Sequence, residues 1–142
     1  MYVNNGTTNP YAANGSPEDW RRYDNRVSER NGNLYLNAGR GSDQIDVSKS
    51  GEDCYTVSIN GVPYQFSGAD MDRLRIRGGR GADNIRVDPS VDRPVRVNGG
   101  RGSDTIENNA DGSRIKGGGG RDTIINNSNG SRIEGNRGRD VI

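Results

Sequence analysis

One ten-residue pattern recurs five times and leaves this chain few folds to choose from. It reads LNAGRGSDQI at 36–45, IRGGRGADNI at 76–85, VNGGRGSDTI at 97–106, IKGGGGRDTI at 115–124 and IEGNRGRDVI at 133–142. In each, an apolar residue leads into a glycine-rich turn, an aspartate follows seven positions on, and a second apolar residue stands two beyond it. The aspartates Asp43, Asp83, Asp104, Asp122 and Asp140 are spaced 40, 21, 18 and 18. Self-similarity at such a period is the mark of a stacked repeat, in which each unit buries its apolar face only against its neighbours. Eighteen residues suit one coil of a flattened solenoid, with two short strands and two tight turns. The 21 then reads as a coil with a longer far turn, and the 40 as about two coils.

Composition agrees with a thin shared core. Only 28% of residues are hydrophobic, 22 of 142 are glycine and mean hydropathy is −1.00. A core of ordinary thickness cannot be built from this, and without the periodicity disorder would be the default. The formal net charge is +1, but its cations are almost all arginine, with lysine only at Lys49 and Lys116. Cys54 is the sole cysteine, so no intrachain disulfide and no zinc cluster can form. There is no histidine, which removes the commonest general base and transition-metal ligand. The start, MYVNNGTTNP, lacks the charged-then-apolar pattern of a cleaved signal peptide, and no apolar run approaches membrane-spanning length.

The segments between motifs refine the expectation. YTVSINGVPYQF (55–66) alternates apolar and polar on both sides of Asn60-Gly61, a strong hairpin signal, so 54–67 is read as a β-hairpin that caps or interrupts the stack. ENNADGSRI (107–115) and INNSNGSRI (125–133) match each other, placing Asn108 and Asn126 where their amides can bond along the axis. Residues 1–30 are a polar segment, with Trp20 and Tyr23 in a short helix capping the stack. The last motif stops at Ile142 with no cap, and the expectation is that this end is continued or pairs with another protein. The predicted fold is all-β: a right-handed parallel β-solenoid of about five coils over 31–142, with the inserted hairpin and an N-terminal cap.

The turns carry the candidate chemistry. Glycine permits positive φ, which can turn carbonyl oxygens toward one point, and aspartate adds a hard anionic oxygen. Two such turns one coil apart can surround a cation, and calcium takes six to eight oxygens. The spacing pairs Asp83 with Asp104, Asp104 with Asp122 and Asp122 with Asp140, each with the turn glycines Gly79, Gly81, Gly100, Gly102, Gly118 and Gly120; Asp43, read as two coils away, is the weaker ligand. The second reading needs no metal: the aspartates bond their own turn amides and pair with Arg40, Arg80, Arg101 and Arg137 inside the turns and with Arg121 and Arg139 just before the aspartates.

GGRGADNIR and GGRGSDTIE fit the nine-residue GGxGxDxUx pattern, and over 34–142, apart from 46–73, the chain resembles the haemolysin-type, or repeats-in-toxin, calcium-binding repeat family. The resemblance implies a parallel β-roll with calcium in its turns, in a bacterial toxin or effector-type protein secreted without a cleaved signal and in some cases delivered into a host cell. This chain departs from the family in carrying the motif on one side only, and in its cationic turns.

A second stripe is independent of the turns. The residue before the first apolar position of each motif is Tyr35, Arg75, Arg96, Arg114 and Arg132, all facing outward. Rungs about 4.8 Å apart would bring like charges together, which opposes pairing. Either Asp92, Glu107, Asp111 and Glu134 interleave with the arginines, or a polyanion such as an acidic polysaccharide runs along them. Nucleic acid is not expected, because no aromatics flank the stripe. The leading functional expectation is a non-catalytic, calcium-stabilised β-roll; the alternative is a metal-free solenoid that binds an acidic polysaccharide or other polyanion through Arg75, Arg96, Arg114 and Arg132. An enzyme is not expected.

Overall fold

The computed structural model describes residues 27–142, so the helical cap expected around Trp20 and Tyr23 lies outside the described residues. The chain is mostly strand, with a single short helix among the described residues. In order come β1 (Val27–Arg30), β2 (Asn33–Asn37), β3 (Gln44–Gly51), β4 (Cys54–Ile59), β5 (Val62–Phe66), α1 (Gly68–Met71), β6 (Leu74–Arg77), β7 (Asn84–Val87), β8 (Arg96–Asn98), β9 (Thr105–Asn108), β10 (Arg114–Gly119), β11 (Thr123–Asn126) and β12 (Arg132–Arg137). They form two mixed sheets. Sheet A has the order β1-β2-β6-β8-β10-β12 and sheet B the order β11-β9-β7-β3-β4-β5.

The motif sets the register. In sheet A, Leu36 pairs with Ile76, Ile76 with Val97, Val97 with Ile115 and Ile115 with Ile133, all in parallel strands. In sheet B, Ile45 pairs with Ile85, Ile85 with Ile106 and Ile106 with Ile124, again parallel. Side chains alternate across a strand, so each repeat sends its apolar residues to the space between the sheets. Leu34, Leu36, Ile45, Val47, Ile85, Val87, Ile106 and Ile115 are fully buried there. Each such side chain contributes roughly 1.5–3 kcal/mol relative to exposure, which is how so apolar-poor a chain keeps a core.

Two expectations are corrected. The 40-residue spacing is one step of the stack rather than two, since Ile45 lies directly beside Ile85. The extra length is a detour: β3 turns back into β4, and β4 into β5, both antiparallel, before α1 leads into β6. The hairpin at 54–67 therefore covers the outer edge of sheet B and does not interrupt the repeat. The second correction falls at the start of the described chain. β1 pairs antiparallel with β2 through Asn31-Gly32, both at positive φ (53° and 82°), the two-residue hairpin such a dipeptide favours. A strand thus covers this edge of sheet A, within the region read as a polar cap.

The far turns are held by amides. Asn108 is buried; its Nδ2 donates to Ala110 O and Asn126 Oδ1, both at 3.1 Å, so the two matching asparagines bond along the stack. At the last repeat Ile125, Val141 and Ile142 are exposed.

Candidate functional site

Each motif turn stacks on the one before. Gly100 and Gly102 have φ of +95° and +110°, and a Cβ on either would collide with the carbonyl oxygen of Gly79 or Gly81 in the preceding turn. The same holds for Gly79, Gly81, Gly118 and Gly120 against their own predecessors. These positions need glycine because backbone packs on backbone there, as well as for their φ. The carbonyls of Gly39, Gly79 and Gly100 are engaged with the next turn: Arg80 N donates to Gly39 O at 2.9 Å, Arg101 N to Gly79 O at 2.8 Å and Gly119 N to Gly100 O at 2.9 Å.

The aspartates form one column. Asp83 Oδ1 accepts from Asp43 N at 2.8 Å. Asp104 Oδ1 accepts from Asp83 N, Asp122 Oδ1 from Asp104 N, and Asp140 Oδ1 from Asp122 N, each at 2.9 Å. Each of these four carboxylates thus reaches back to the amide of the previous repeat's aspartate. Asp43, expected to stand apart, is a full member. The arginine pairing expected in the metal-free alternative is absent: among the described residues no ion pair joins a turn arginine to the column.

The second carboxylate oxygens of Asp43, Asp83, Asp104 and Asp122 are buried without a hydrogen-bond partner. Each lies over a glycine of its own turn, except that Ala38 stands at that position in the first repeat. At Gly78, an added Cβ would fall 2.5 Å from Asp83 Oδ2 and 2.6 Å from Gly99 O. Burial, and then the neighbouring carboxylates, push Asp83 up to about 6 and Asp104 up to about 7, against an opposing pull from the amide each accepts. Asp122 is raised for the same first reason.

Calcium takes six to eight oxygen ligands; in these turns the carbonyls of Gly39, Gly79 and Gly100 and one oxygen each of Asp83, Asp104, Asp122 and Asp140 are engaged by amides. Among the described residues, no group of three or more acidic, Cys or His side chains is placed to hold a metal ion.

The outward face of sheet A is built differently. Tyr35 pairs with Arg75, Arg96 with Arg114 and Arg114 with Arg132, and Arg75 and Arg96 flank the Ile76–Val97 pair. The predicted stripe is therefore in register. Two residues along runs a companion row: Asn37, Arg77, Asn98, Lys116 and Glu134. Between the rows lies a groove of about 150 Å³, lined by Arg75, Arg77, Arg96, Asn98, Arg114 and Lys116.

Three of the four acids expected to neutralise the stripe are elsewhere. Asp92 pairs with Lys49 at 2.7 Å, Glu107 with Arg86 at 3.5 Å, and Asp111 accepts from Asn129 N. Glu134 alone reaches it, 3.0 Å from Arg132 and 3.9 Å from Lys116. Among the described residues Arg75, Arg77, Arg96 and Arg114 have no ion pair, and the buried Nε of Arg75 has no hydrogen-bond partner. The Arg77 guanidinium covers the Tyr35 ring at 4.7 Å, leaving that aromatic face closed. On sheet B, by contrast, Arg86 is matched by Asp88 at 2.9 Å as well as by Glu107.

Comparison of the chain with known protein families, curated proteins and solved structures found no match.

Proposed function

We propose that this chain is a non-catalytic, right-handed parallel β-solenoid module of about five coils that binds a linear polyanion, an acidic polysaccharide, along the arginine face of sheet A. The observation that carries the reading is the run of Arg75, Arg96 and Arg114: three cations in register on neighbouring strands, with no acid opposite them among the described residues. Like charges side by side on adjacent strands are destabilising, and an anionic polymer would offset that cost. Lys116 and Arg77 widen the positive field, and Asn98 between them offers hydrogen bonds to hydroxyls. The right hand follows the general rule for parallel connections within a sheet, and the coil count follows the five motifs. Export from a bacterium without a cleaved signal belongs to this reading through the motif resemblance alone.

Nucleic acid is disfavoured because base stacking needs free aromatic faces and Tyr35 is covered. Catalysis has no support either: the buried aspartates are closed off and the exposed face is cationic. The test is retention on immobilised heparin or alginate. Replacing Arg75, Arg96 and Arg114 together with Gln should abolish retention at moderate salt, while Arg86→Gln on sheet B should leave it unchanged. Undiminished retention of the triple variant would sink the proposal.

A further inference from the structure

We infer that the aspartate column is a metal-free hydrogen-bond ladder, and that Asn60 in the β4–β5 turn serves as its first rung. The argument begins with what the backbone leaves unfilled. Across each motif turn the aspartate's own carbonyl is taken by the next repeat, as in Asn84 N to Asp43 O at 2.9 Å and Thr105 N to Asp83 O at 2.8 Å. The aspartate's amide gets its partner from a side chain, the carboxylate of the following repeat. A buried amide left without an acceptor is costly, so the carboxylate here continues the sheet ladder through a turn where no backbone carbonyl is offered.

A ladder with this direction needs a terminator where it begins, because among the described residues no aspartate precedes Asp43 in the column. Asn60 supplies one. Its Nδ2 donates to Asp43 Oδ1 at 2.8 Å, its Oδ1 accepts from Gln44 N at 2.8 Å, and its own amide donates to Gln44 O at 2.8 Å. A side-chain amide thus stands where a backbone amide would be in every later repeat. Asn60 can do this because it sits at φ 51°, a conformation asparagine tolerates, followed by Gly61 at φ 86°. The hairpin that covers the edge of sheet B therefore also closes the aspartate column.

The ladder accounts for the motif without calcium: glycines where turn packs on turn, aspartate where an amide lacks an acceptor. This inference is independent of the polyanion reading. It is tested on the full chain by thermal melts followed by circular dichroism, in excess calcium and in EGTA, with the variants Asp104→Asn, Asp104→Ala and Asn60→Gly. The midpoint should be the same in both buffers. Asp104→Asn keeps the acceptor and should melt no lower than the parent chain, whereas Asp104→Ala should lose several degrees or fail to fold. Asn60→Gly suits the turn but removes the rung, and should also lose several degrees. A calcium-dependent rise of several degrees, as expected of a ligand that binds only the folded form, would overturn the metal-free ladder. So would Asp104→Asn proving as damaging as Asp104→Ala, and an unchanged midpoint for Asn60→Gly would remove Asn60 from it.

Discussion

The two ends of each repeat are governed by different constraints. At the motif turns, backbone lies on backbone, and Gly79, Gly100 and Gly118 follow one another with no space for a Cβ. At the far turns the chain is free to vary. It makes a hairpin and a helix over 52–73, an eight-residue loop with two prolines over 88–95, and short turns ending in Asp-Gly-Ser over 109–113 and Asn-Gly-Ser over 127–131. The motif is thus fixed where the stack leaves no room, and length changes gather where the chain swings clear of it. Electrostatics divide in the same way. Burial raises Asp83 and Asp104 in the motif turns, while Lys49 and the Tyr55 hydroxyl hold the exposed Asp92 of a far turn down to about 2.

The hardest test of this contrast sets one glycine against another. Gly100→Ala would drive a Cβ into the Gly79 carbonyl oxygen, whereas Gly112, at φ +71°, would meet only Pro94 Cγ at 3.4 Å. Gly112→Ala should cost about 1–2 kcal/mol for the left-handed backbone alone. Gly100→Ala should cost at least ~3 kcal/mol, because backbone strain and a clash that moves a whole turn add together. Urea unfolding midpoints of the two variants would show it, and equal losses would erase the distinction between the turns.

Much of this was legible in the sequence, for reasons the turns make clear. The core positions Ile76, Val97, Ile115 and Ile133 and the row Arg75, Arg96, Arg114 and Arg132 follow from equal spacing, because a parallel stack repeats whatever its period repeats. The 40-residue gap was misread as two coils because a far-turn detour can have any length, and only pairing in space shows that Ile45 adjoins Ile85. β1 went unseen although Asn31-Gly32 carries the same signal as Asn60-Gly61; Ser28, Glu29 and Arg30 hid any alternation beside Val27. The aspartates were found, but their role was not. Whether a carboxylate faces a cation, an arginine or the next amide depends on how one turn sits on another, and spacing does not encode that. The same limit applies to Asp92, Glu107 and Asp111, whose turns carry them away from the stripe.

A smaller but more diagnostic effect is the pH dependence. Asp83 and Asp104 bind protons more readily folded, at about 6 and about 7, than at the ordinary aspartate value of 3.8. Their contribution is fully present below that ordinary value and is lost as pH rises through 6 and 7. Asp92 has the opposite sign, but its titration is over before pH rises to that range. The melting midpoint should therefore fall between about pH 5 and about pH 8, and Asp104→Asn should flatten the fall. A midpoint that rises with pH over this range would mean that the buried column does not control the titration.

The smallest effect belongs to the clamp that ties the 88–95 loop to the hairpin. Asp92 accepts from Lys49 Nζ at 2.7 Å and from the Tyr55 hydroxyl, Ser90 Oγ accepts from Lys49 N at 3.1 Å, and Arg93 donates to Gly68 O and Asp72. The cluster is well connected, but its charges are exposed: the Asp92 side chain keeps 54% of its surface in water. Exposed pairs gain little, since solvent screens them and two long side chains must be ordered to form them. Asp92→Asn should therefore lower the midpoint by no more than a degree or two, less still in high salt, and leave heparin retention as it was. A loss comparable to that of Asp104→Ala would show that the far turns are as tightly specified as the motif turns, and that their variety in length conceals fixed contacts.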